Sequence, residues 1–352
     1  MLNQKLYQIG RPALPLAVWM TLTGLLLAVQ PASGLRAAVE TLRSVAALAP
    51  HLAGRFGEPA AFQQAADGSY FVVDRRGHTV SRVDRAMTGV TPLVAIGHEL
   101  GRILLPFGFD LGEGEFAIAD APTGSERVQV FTTSGSRLAA FTLGVRSEPR
   151  VQLGGLVLNG AGSMRFTPAR TILFSQPESG ALVTEYDIRG QALGSFGTLR
   201  ATGHDADPQL RLAFNASVLV PTPDGGLYVV FQAGEPRFRR YDASRRLLYE
   251  RVIQGPELDG LLQSQPTVWP RRPGRSGEIP VVTPIVRAAA VDGSGRLWIS
   301  FTLPYTYVYD ATGEKVRTVQ LVAAGVVSPT SLFFTPDGRL LVTPGCYIFA
   351  PQ

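Results

Sequence analysis

Four residues between positions 204 and 215 have side chains that could hold a divalent cation. They are His204, Asp205, Asp207 and Asn215, and the first three stand in the segment Gly-His-Asp-Ala-Asp-Pro at 203–208. Imidazole nitrogens and carboxylate or amide oxygens are ligands of zinc and calcium. The segment lacks the glycine-containing loop of fixed ligand spacing that marks many calcium sites. A solvated loop in which an aspartate caps a turn explains the same residues, and we favour that interpretation.

A second group of candidate binding residues lies between positions 255 and 287. Trp269 offers a flat apolar face, and Arg271 and Arg272 attract anions. Segments longer than ~15 residues without secondary structure of their own tend to be functional or disordered. We expect the insertions at 199–214 and 255–287 to lie on one rim, where the second could cover the mouth of a channel. A loop that is merely tethered to the domain is the alternative.

Carboxylates that could act as a catalytic pair follow two apolar strands. Asp74 and Asp120 could point into a central channel. The other repeats lack an aspartate at this position, so we favour aspartates that accept hydrogen bonds from turn amides. The sequence shows no Ser-His-Asp arrangement, paired-cysteine metal spacing or phosphate-binding glycine loop. We therefore predict no catalytic residue.

The elements that position these residues form a repeat. Its clearest copy runs from Asp292 to Leu321, where a glycine-rich turn, an apolar strand, an alternating strand, a second turn and a last strand follow one another. Four-stranded units recurring every ~40–50 residues are typical of a β-propeller. Equivalent positions after the second strand occur six times, at Asp74, Asp120, Ser175, Phe231, Phe301 and Pro344.

The pattern predicts an all-β fold, a six-bladed β-propeller with four-stranded antiparallel blades, over residues 58–350. The sixth repeat has three strands and then ends, which would leave an unpaired sheet edge. The connecting segment 35–57 precedes the first repeat. We predict that part of Val39–Leu48 supplies the missing outer strand and closes the ring.

The amino terminus has the features of an export signal. Lys5 and Arg11 precede the apolar run Ala13–Val29, and small residues at 31–34 allow cleavage after Gly34. We predict a signal peptide at 1–34 and a periplasmic or secreted protein. The alternative is an uncleaved anchor, which alone would bring the chain to a membrane.

Composition limits the classes of partner. The formal charge is +5 over 352 residues, which is too small to indicate nucleic-acid binding. Hydrophobic residues make up 45% of the chain, enough for a substantial core. Cys346 is the single cysteine, so an intramolecular disulfide is impossible. It stands in an apolar stretch and is expected to be a buried residue rather than a nucleophile. We expect a monomer.

The repeat resembles the NHL-type repeats of six-bladed propellers in the wider TolB-like group. The resemblance is carried by the Asp67-Gly68 turn, the strand Tyr-Phe-Val-Val-Asp at 70–74 and a following strand that ends in Val-Asp or Tyr-Asp before a glycine turn. The third, fourth and fifth repeats depart from it, with Ser175, Phe231 and Phe301 in place of the aspartate. The resemblance implies the fold, while the group includes sensors, scaffolds, ligand binders, lyases and lactonases.

One segment is similar to calcium-dependent sugar-lactone hydrolases, which share a six-bladed ring. Asn215 is followed by Pro-Asp-Gly-Gly-Leu-Tyr at 223–228. The acidic residue expected after that strand is absent, because Val-Phe-Gln stands at 230–232. The resemblance implies Ca²⁺ held near the axis by carboxylates and an asparagine.

Two functions follow as expectations. The first is an exported, non-enzymatic propeller without cofactor that binds a protein or a cell-envelope glycan at the insertion-bearing rim. The second is a metal-dependent hydrolase or lyase of the lactonase kind, with a Ca²⁺ site on the axis. Four or more Asp, Glu, Asn or His side chains converging on the axis would favour the enzyme.

Overall fold

The computed structural model of the protein describes residues 38–122, 124–143, 150–158, 161–274 and 277–351. The expected signal peptide or anchor at 1–34 lies outside these residues. Among the described residues no helix is long and apolar enough to cross a membrane. The first elements are β1 (Val39–Ala47) and a short helix, α1 (Pro50–Ala53).

Two four-stranded antiparallel units follow, and in each the strands pair in chain order. Gly68, at φ 84°, forms the turn between the first two strands, where the Asp67 carboxylate accepts a hydrogen bond from the Ser69 amide at 2.9 Å. The first unit contains β2 (Pro59–Gln64), β3 (Tyr70–Asp74), β4 (Thr79–Val83) and β5 (Val90–Val94). The second contains β6 (Gly108–Leu111), β7 (Glu115–Asp120), β8 (Arg127–Thr132) and β9 (Arg137–Thr142).

A hairpin separates the second unit from the next two. It consists of β10 (Val151–Leu153) and β11 (Leu156–Leu158). The third unit contains β12 (Met164–Phe166), β13 (Ile172–Ser175), a 3₁₀ turn (Pro177–Ser179), β14 (Ala181–Tyr186) and β15 (Ala192–Thr198). Helix α2 (Pro208–Asn215) leads to the fourth, with β16 (Ser217–Pro221), β17 (Leu227–Phe231), β18 (Arg237–Tyr241) and β19 (Leu247–Val252).

The remaining elements follow the same pattern after a second insertion. The insertion contains α3 (Pro256–Gln263), β20 (Arg271–Pro273) and β21 (Glu278–Val282). The fifth unit contains β22 (Val286–Val291), β23 (Leu297–Phe301), β24 (Thr306–Tyr309) and β25 (Lys315–Val322), followed by the short β26 (Val326–Val327). The chain ends with β27 (Ser331–Phe334), β28 (Leu340–Thr343) and β29 (Tyr347–Phe349).

The core lies between neighbouring units. The second strands β3, β17 and β23 are buried along their whole length, whereas most residues of the outer strands β9, β15 and β19 are exposed or half-buried. Phe71 of β3 and Phe116 of β7 pack across two units with ring centroids 5.6 Å apart. A strand buried on both faces lies between two packed sheets, so the units stack face to face.

Strand β1 connects the two ends of the described chain. Its second half pairs antiparallel with β29, with Ser44 opposite Phe349 and Ala47 opposite Tyr347. Its first half pairs in parallel with β25, with Val39 opposite Thr318. This double pairing joins the fifth unit and β27–β29 into a nine-stranded sheet. The edge of β29 is thereby covered, which removes a site of intermolecular strand pairing.

Three connections between units form one further structure, which we call the cap: β10, β11, α2, β20 and β21. The strands make a small sheet in the order β11-β10-β21-β20, in which Gln152 pairs in parallel with Val281. Apolar residues of α2 and the sheet share a core that includes Val151, Leu212 and Val282. Both predicted insertions are therefore folded, and neither is a tethered loop. All three connections join a fourth strand to a first strand, which places them at the same end of the units.

Candidate functional site

An ion pair joins the two insertions. Asp207 is the N-cap of α2, where its Oδ1 accepts hydrogen bonds from the amides of Gln209 (2.9 Å) and Leu210 (3.1 Å). Its Oδ2 accepts a hydrogen bond from Arg271 Nη2, and Arg271 Nη1 donates to Gln209 Oε1 at 3.1 Å. The structure thus brings together two predicted binding residues. The charges of Asp207 and Arg271 neutralise each other, so we assign these two residues to positioning the cap.

Aromatic side chains from the two insertions stack beside this ion pair. The His204 ring lies on Phe214, with centroids 5.3 Å apart and planes at 19°. Trp269 meets the edge of the same phenyl ring at 5.4 Å and 68°. Trp269 is only 7% exposed, so the prediction of an open flat face is wrong. The indole is buried because the cap has its own apolar core, which includes Trp269.

A cleft of about 410 Å³ opens between α2, the end of α3 and the loop after β17; we call it the rim cleft. It combines aromatic and polar side chains, a composition typical of ligand pockets. Glu235 and Gln265 extend the polar part of its wall. Its lining includes Thr202, His204, Phe214, Glu235, Gln265 and Trp269.

Two arginines lie at the base of the rim cleft. Arg200 donates to the carbonyl oxygens of Phe214 and Glu235, both at 2.8 Å, and its guanidinium lies 4.6 Å from the Phe231 ring centre. Burial, together with the charge of Arg237, lowers the pKa of Arg200 to about 10. Arg237 pairs with carboxylates of Glu235 and Glu250. The charge of Arg237 is therefore neutralised within the protein, whereas Arg200 is held by backbone carbonyl oxygens.

Three of the predicted binding residues lie outside the rim cleft lining. Asn215 is fully buried, and its Oδ1 accepts a hydrogen bond from the Arg200 amide at 2.9 Å. The Asp205 carboxylate accepts from the amide of Thr202 at 3.3 Å. Arg272 is exposed on β20 and is not part of the cleft wall. No three His, Cys, Asp or Glu residues are grouped to hold a metal anywhere in the described part of the chain.

Asp74 and Asp120 are structural residues, as their favoured interpretation predicts. Asp74 accepts hydrogen bonds from the amides of Gly57 and Glu58, both at 2.8 Å. Asp120 is buried in a bidentate pair with Arg127, with bonds of 2.9 and 2.6 Å, and also accepts from the Leu104 amide. Each carboxylate holds the loop that enters its own unit.

A second cavity, of about 440 Å³, is surrounded by the first strands of successive units; we call it the axial cavity. Its lining includes residues of β2, β6, β12, β16, β22 and β27. The ionisable side chains are arginines with one glutamate: Glu58, Arg75, Arg165 and Arg287. The convergence of Asp, Glu, Asn or His side chains on the axis that would favour the enzyme is not found among the lining residues.

Comparison with solved structures identifies the fold. Two structures of virginiamycin B lyase from Staphylococcus aureus, each 11% identical in sequence, superpose with TM-scores of 0.50 and 0.51. The first, selenomethionine-substituted, covers 81% of this chain and 77% of the lyase; the second, a catalytically inactive variant with quinupristin, covers 84% of each. The fold is a β-propeller. At this identity the similarity shows the propeller fold and not the activity.

Other comparisons add little to the propeller assignment. A gluconolactonase from Xanthomonas campestris aligns with a TM-score of 0.48 and 16% identity, over 91% of this chain and 98% of that one. No protein-family model matches the chain, and no curated protein matches it significantly.

Several residues of the propeller's rim cleft are not marked as binding residues by any local sequence pattern. Arg200, Phe214 and Arg237 look like ordinary members of strand ends and a helix. The one local hint is that Arg200 is the second residue of the first insertion, two positions after the end of β15. Its carbonyl partners come from segments 14 and 35 positions away, which a local pattern does not reveal.

Proposed function

We propose that this chain is an exported, non-enzymatic β-propeller that binds a cell-envelope glycan in the rim cleft. We further propose that it has six blades of the NHL type and that β1 closes the ring. The axial cavity supports this architecture, because first strands of six units line it. Loss of the segment 1–34 would release the protein into the periplasm or the medium.

The observation that carries the proposed function is the meeting of both insertions around the rim cleft. Aromatic rings pack against the apolar faces of sugar rings, and fixed polar groups bond their hydroxyls. The cleft offers the half-buried His204 ring, which stacks on the buried Phe214, as its aromatic part. Thr202, Glu235 and Gln265 supply donors and acceptors.

Two unpartnered atoms support a polar ligand here. Arg237 Nε, a donor, and Gln265 Oε1, an acceptor, are buried without a hydrogen-bond partner among the described residues. Buried polar atoms without partners are rare and costly. Sugar hydroxyls or ordered waters in the cleft, reached after a small side-chain shift, would satisfy them.

The metal-dependent hydrolase or lyase is the second candidate, and no specific contact favours it. The ionisable residues of the axial cavity are mostly arginines, which repel a cation. Metal analysis of protein from the native exported pool, followed by thermal shift with calcium, tests this candidate. Bound metal together with a calcium-dependent rise in melting temperature would favour the enzyme.

The glycan proposal is tested with the purified mature protein on an array of neutral and uronic-acid-containing oligosaccharides. The best ligand is then titrated by calorimetry. H204A should weaken binding about tenfold, about 1.4 kcal/mol, because it removes one wall of the rim cleft. The control is H98A, which removes an exposed imidazole outside the cleft.

Both variants should keep the melting temperature of the parent. Equal affinity of H204A and the parent would contradict the proposal. If no glycan binds, and the parent captures an envelope protein that H204A does not bind, the ligand of the cleft would be a protein. Sequencing the amino terminus of the native protein separates a released protein from an anchored one.

A further inference from the structure

The axial cavity has the composition of a small-molecule site. Its walls are largely apolar, with Phe107, Phe109, Met164, Val218, Leu332 and Phe333 among the lining residues. Its volume of about 440 Å³ falls within the range of known ligand pockets. Such pockets combine apolar walls with a few charged groups that orient the ligand. In the axial cavity those groups are mainly guanidinium groups.

The three arginines of the axial cavity come from three different units, and they differ in how far their charges are neutralised. Arg75 pairs with Glu58. Arg165 Nη1 lies 3.9 Å from Asp110 Oδ1 and donates to the Met164 carbonyl at 3.2 Å. Arg287 is exposed to the cavity side of β22 and has no hydrogen bond or ion pair with any described residue.

The carboxylate nearest to Arg165 is already engaged. Asp110 accepts hydrogen bonds from Gln63 Nε2 at 3.1 Å and from the Phe166 amide at 2.8 Å. Its separation from Arg165 exceeds hydrogen-bond distance. Burial also raises the pKa of the Asp110 carboxyl above its usual range. The positive charge of Arg165 is therefore only partly offset.

One turn of the cap approaches an arginine that lines the axial cavity. Gly155, in the turn of the β10–β11 hairpin, lies beside Arg75: a Cβ atom at this glycine would be 3.6 Å from Arg75 Nη2. The hairpin therefore reaches from the connection after the second unit to an arginine of the first unit.

We propose that the axial cavity is a second binding site, which takes a small organic anion: a carboxylate or phosphate monoester on an apolar body. Arg287, with Arg165, holds the anionic group through the planar donor fork of the guanidinium, which matches both oxyanions. The apolar walls pack the body of the ligand. The proposal does not depend on the glycan function of the rim cleft.

The test uses three probes of similar shape: benzoate, phenyl phosphate and the neutral benzamide. Binding to the purified full-length propeller is measured by calorimetry and thermal shift at low ionic strength. Benzoate or phenyl phosphate should raise the melting temperature in a saturable way, and added salt should weaken the effect. The tighter of the two identifies the preferred oxyanion. Benzamide should bind at least about tenfold more weakly.

Variants separate this site from general positive charge. R287Q should weaken the anionic probes at least about tenfold, and R287E should abolish their binding. R272Q removes an equal charge from the exposed strand β20 and should bind as the parent does. Because Arg287 is exposed, its variants should melt near the parent. H204A should leave probe binding unchanged, which keeps this result distinct from the test of the rim cleft.

Three results would overturn the proposal. One is the absence of any shift with both anions. Another is equal binding of benzamide and benzoate. The third is an equal loss in R272Q and R287Q, which would indicate non-specific attraction to a basic surface.

Discussion

Arg317 and Glu40, 277 positions apart, form a bidentate ion pair: Arg317 Nε lies 2.8 Å from Glu40 Oε2, and Nη2 lies 2.6 Å from Oε1. The Arg317 guanidinium also lies 5.3 Å from the centre of the Trp298 ring. The pair therefore fixes β1 against β25 at the junction of the two ends of the described chain.

We expect E40Q to lower the free energy of unfolding by about 1 kcal/mol, because it removes one half of a partly exposed, bidentate pair. The measurement is chemical denaturation at pH 7 and low salt. E113Q, at an exposed glutamate in the turn between β6 and β7, is the control and should be neutral. A neutral E40Q would show that the pairing of β1 with its neighbours is sufficient without the ion pair.

Removal of β1 should have a much larger effect. A protein beginning after Leu48 lacks both the parallel pairing with β25 and the antiparallel pairing with β29. The uncovered edge of β29 should make the truncated protein aggregate or melt many degrees lower. A protein beginning after position 37 retains β1 and is the matched control. Light scattering and thermal melting compare the two, and similar behaviour would contradict closure by β1.

Much of the strand pattern could be predicted because it is encoded locally. The Asp67-Gly68 turn and the apolar run 70–74 give β3, and the repeat that begins at Asp292 gives β23, β24 and β25 in the predicted order. The cap could not be predicted in this way. Strands β10 and β20 have three residues each, too few for a periodic signal, and Gln152 pairs with Val281 only through the tertiary fold.

The candidate site shows the same division between local and long-range information. Asp207 stands directly before Pro208, which is the local signature of a helix N-cap, and that role was accessible from the sequence. Its partner Arg271 is 64 positions away, so the ion pair could not be predicted from the sequence. The burial of Trp269 likewise depends on the distant Phe214 and on the cap core. Neither contact is visible in the sequence, which therefore suggested an exposed ring.

Breaking the buried Asp120–Arg127 ion pair should cause a large loss of stability. D120N leaves the Arg127 guanidinium, 9% exposed, without its counter-charge, and should cost about 3–5 kcal/mol. Chemical denaturation measures the loss. D205N, at an exposed aspartate with long hydrogen bonds, is the control and should change stability little. A D120N protein of parental stability would contradict the structural role assigned to this carboxylate.

Asp224 should make part of the stability pH-dependent. Its carboxylate accepts hydrogen bonds from Thr222 Oγ1 (2.5 Å) and Arg240 Nη2 (2.7 Å), and these lower its pKa from 3.8 to about 2. A lowered folded-state pKa contributes stability that is fully present above pH ~4 and is lost as the pH falls through about 2. D224N should therefore be less stable than the parent at pH 6, by at most about 1 kcal/mol because Asp224 is exposed. The difference should shrink as the pH falls towards 2 and vanish below it, and a constant difference would contradict the assignment.

Cys346 provides a chemical test of closure at the end of the chain. Its side chain is fully buried, and burial raises the pKa of the thiol to about 12. The Cys346 carbonyl accepts a hydrogen bond from the Leu48 amide at 3.1 Å, and both residues belong to one apolar cluster. Ellman's reagent at pH 8 should therefore not label the native protein, but should label it completely in denaturant.

The protein beginning after Leu48 should be labelled without denaturant, because its truncation removes Leu48 from the cluster that covers the sulfur. Labelling of the protein that begins after position 37 should stay as slow as in the parent. Rapid labelling of the intact native protein would contradict the packing of the final strands.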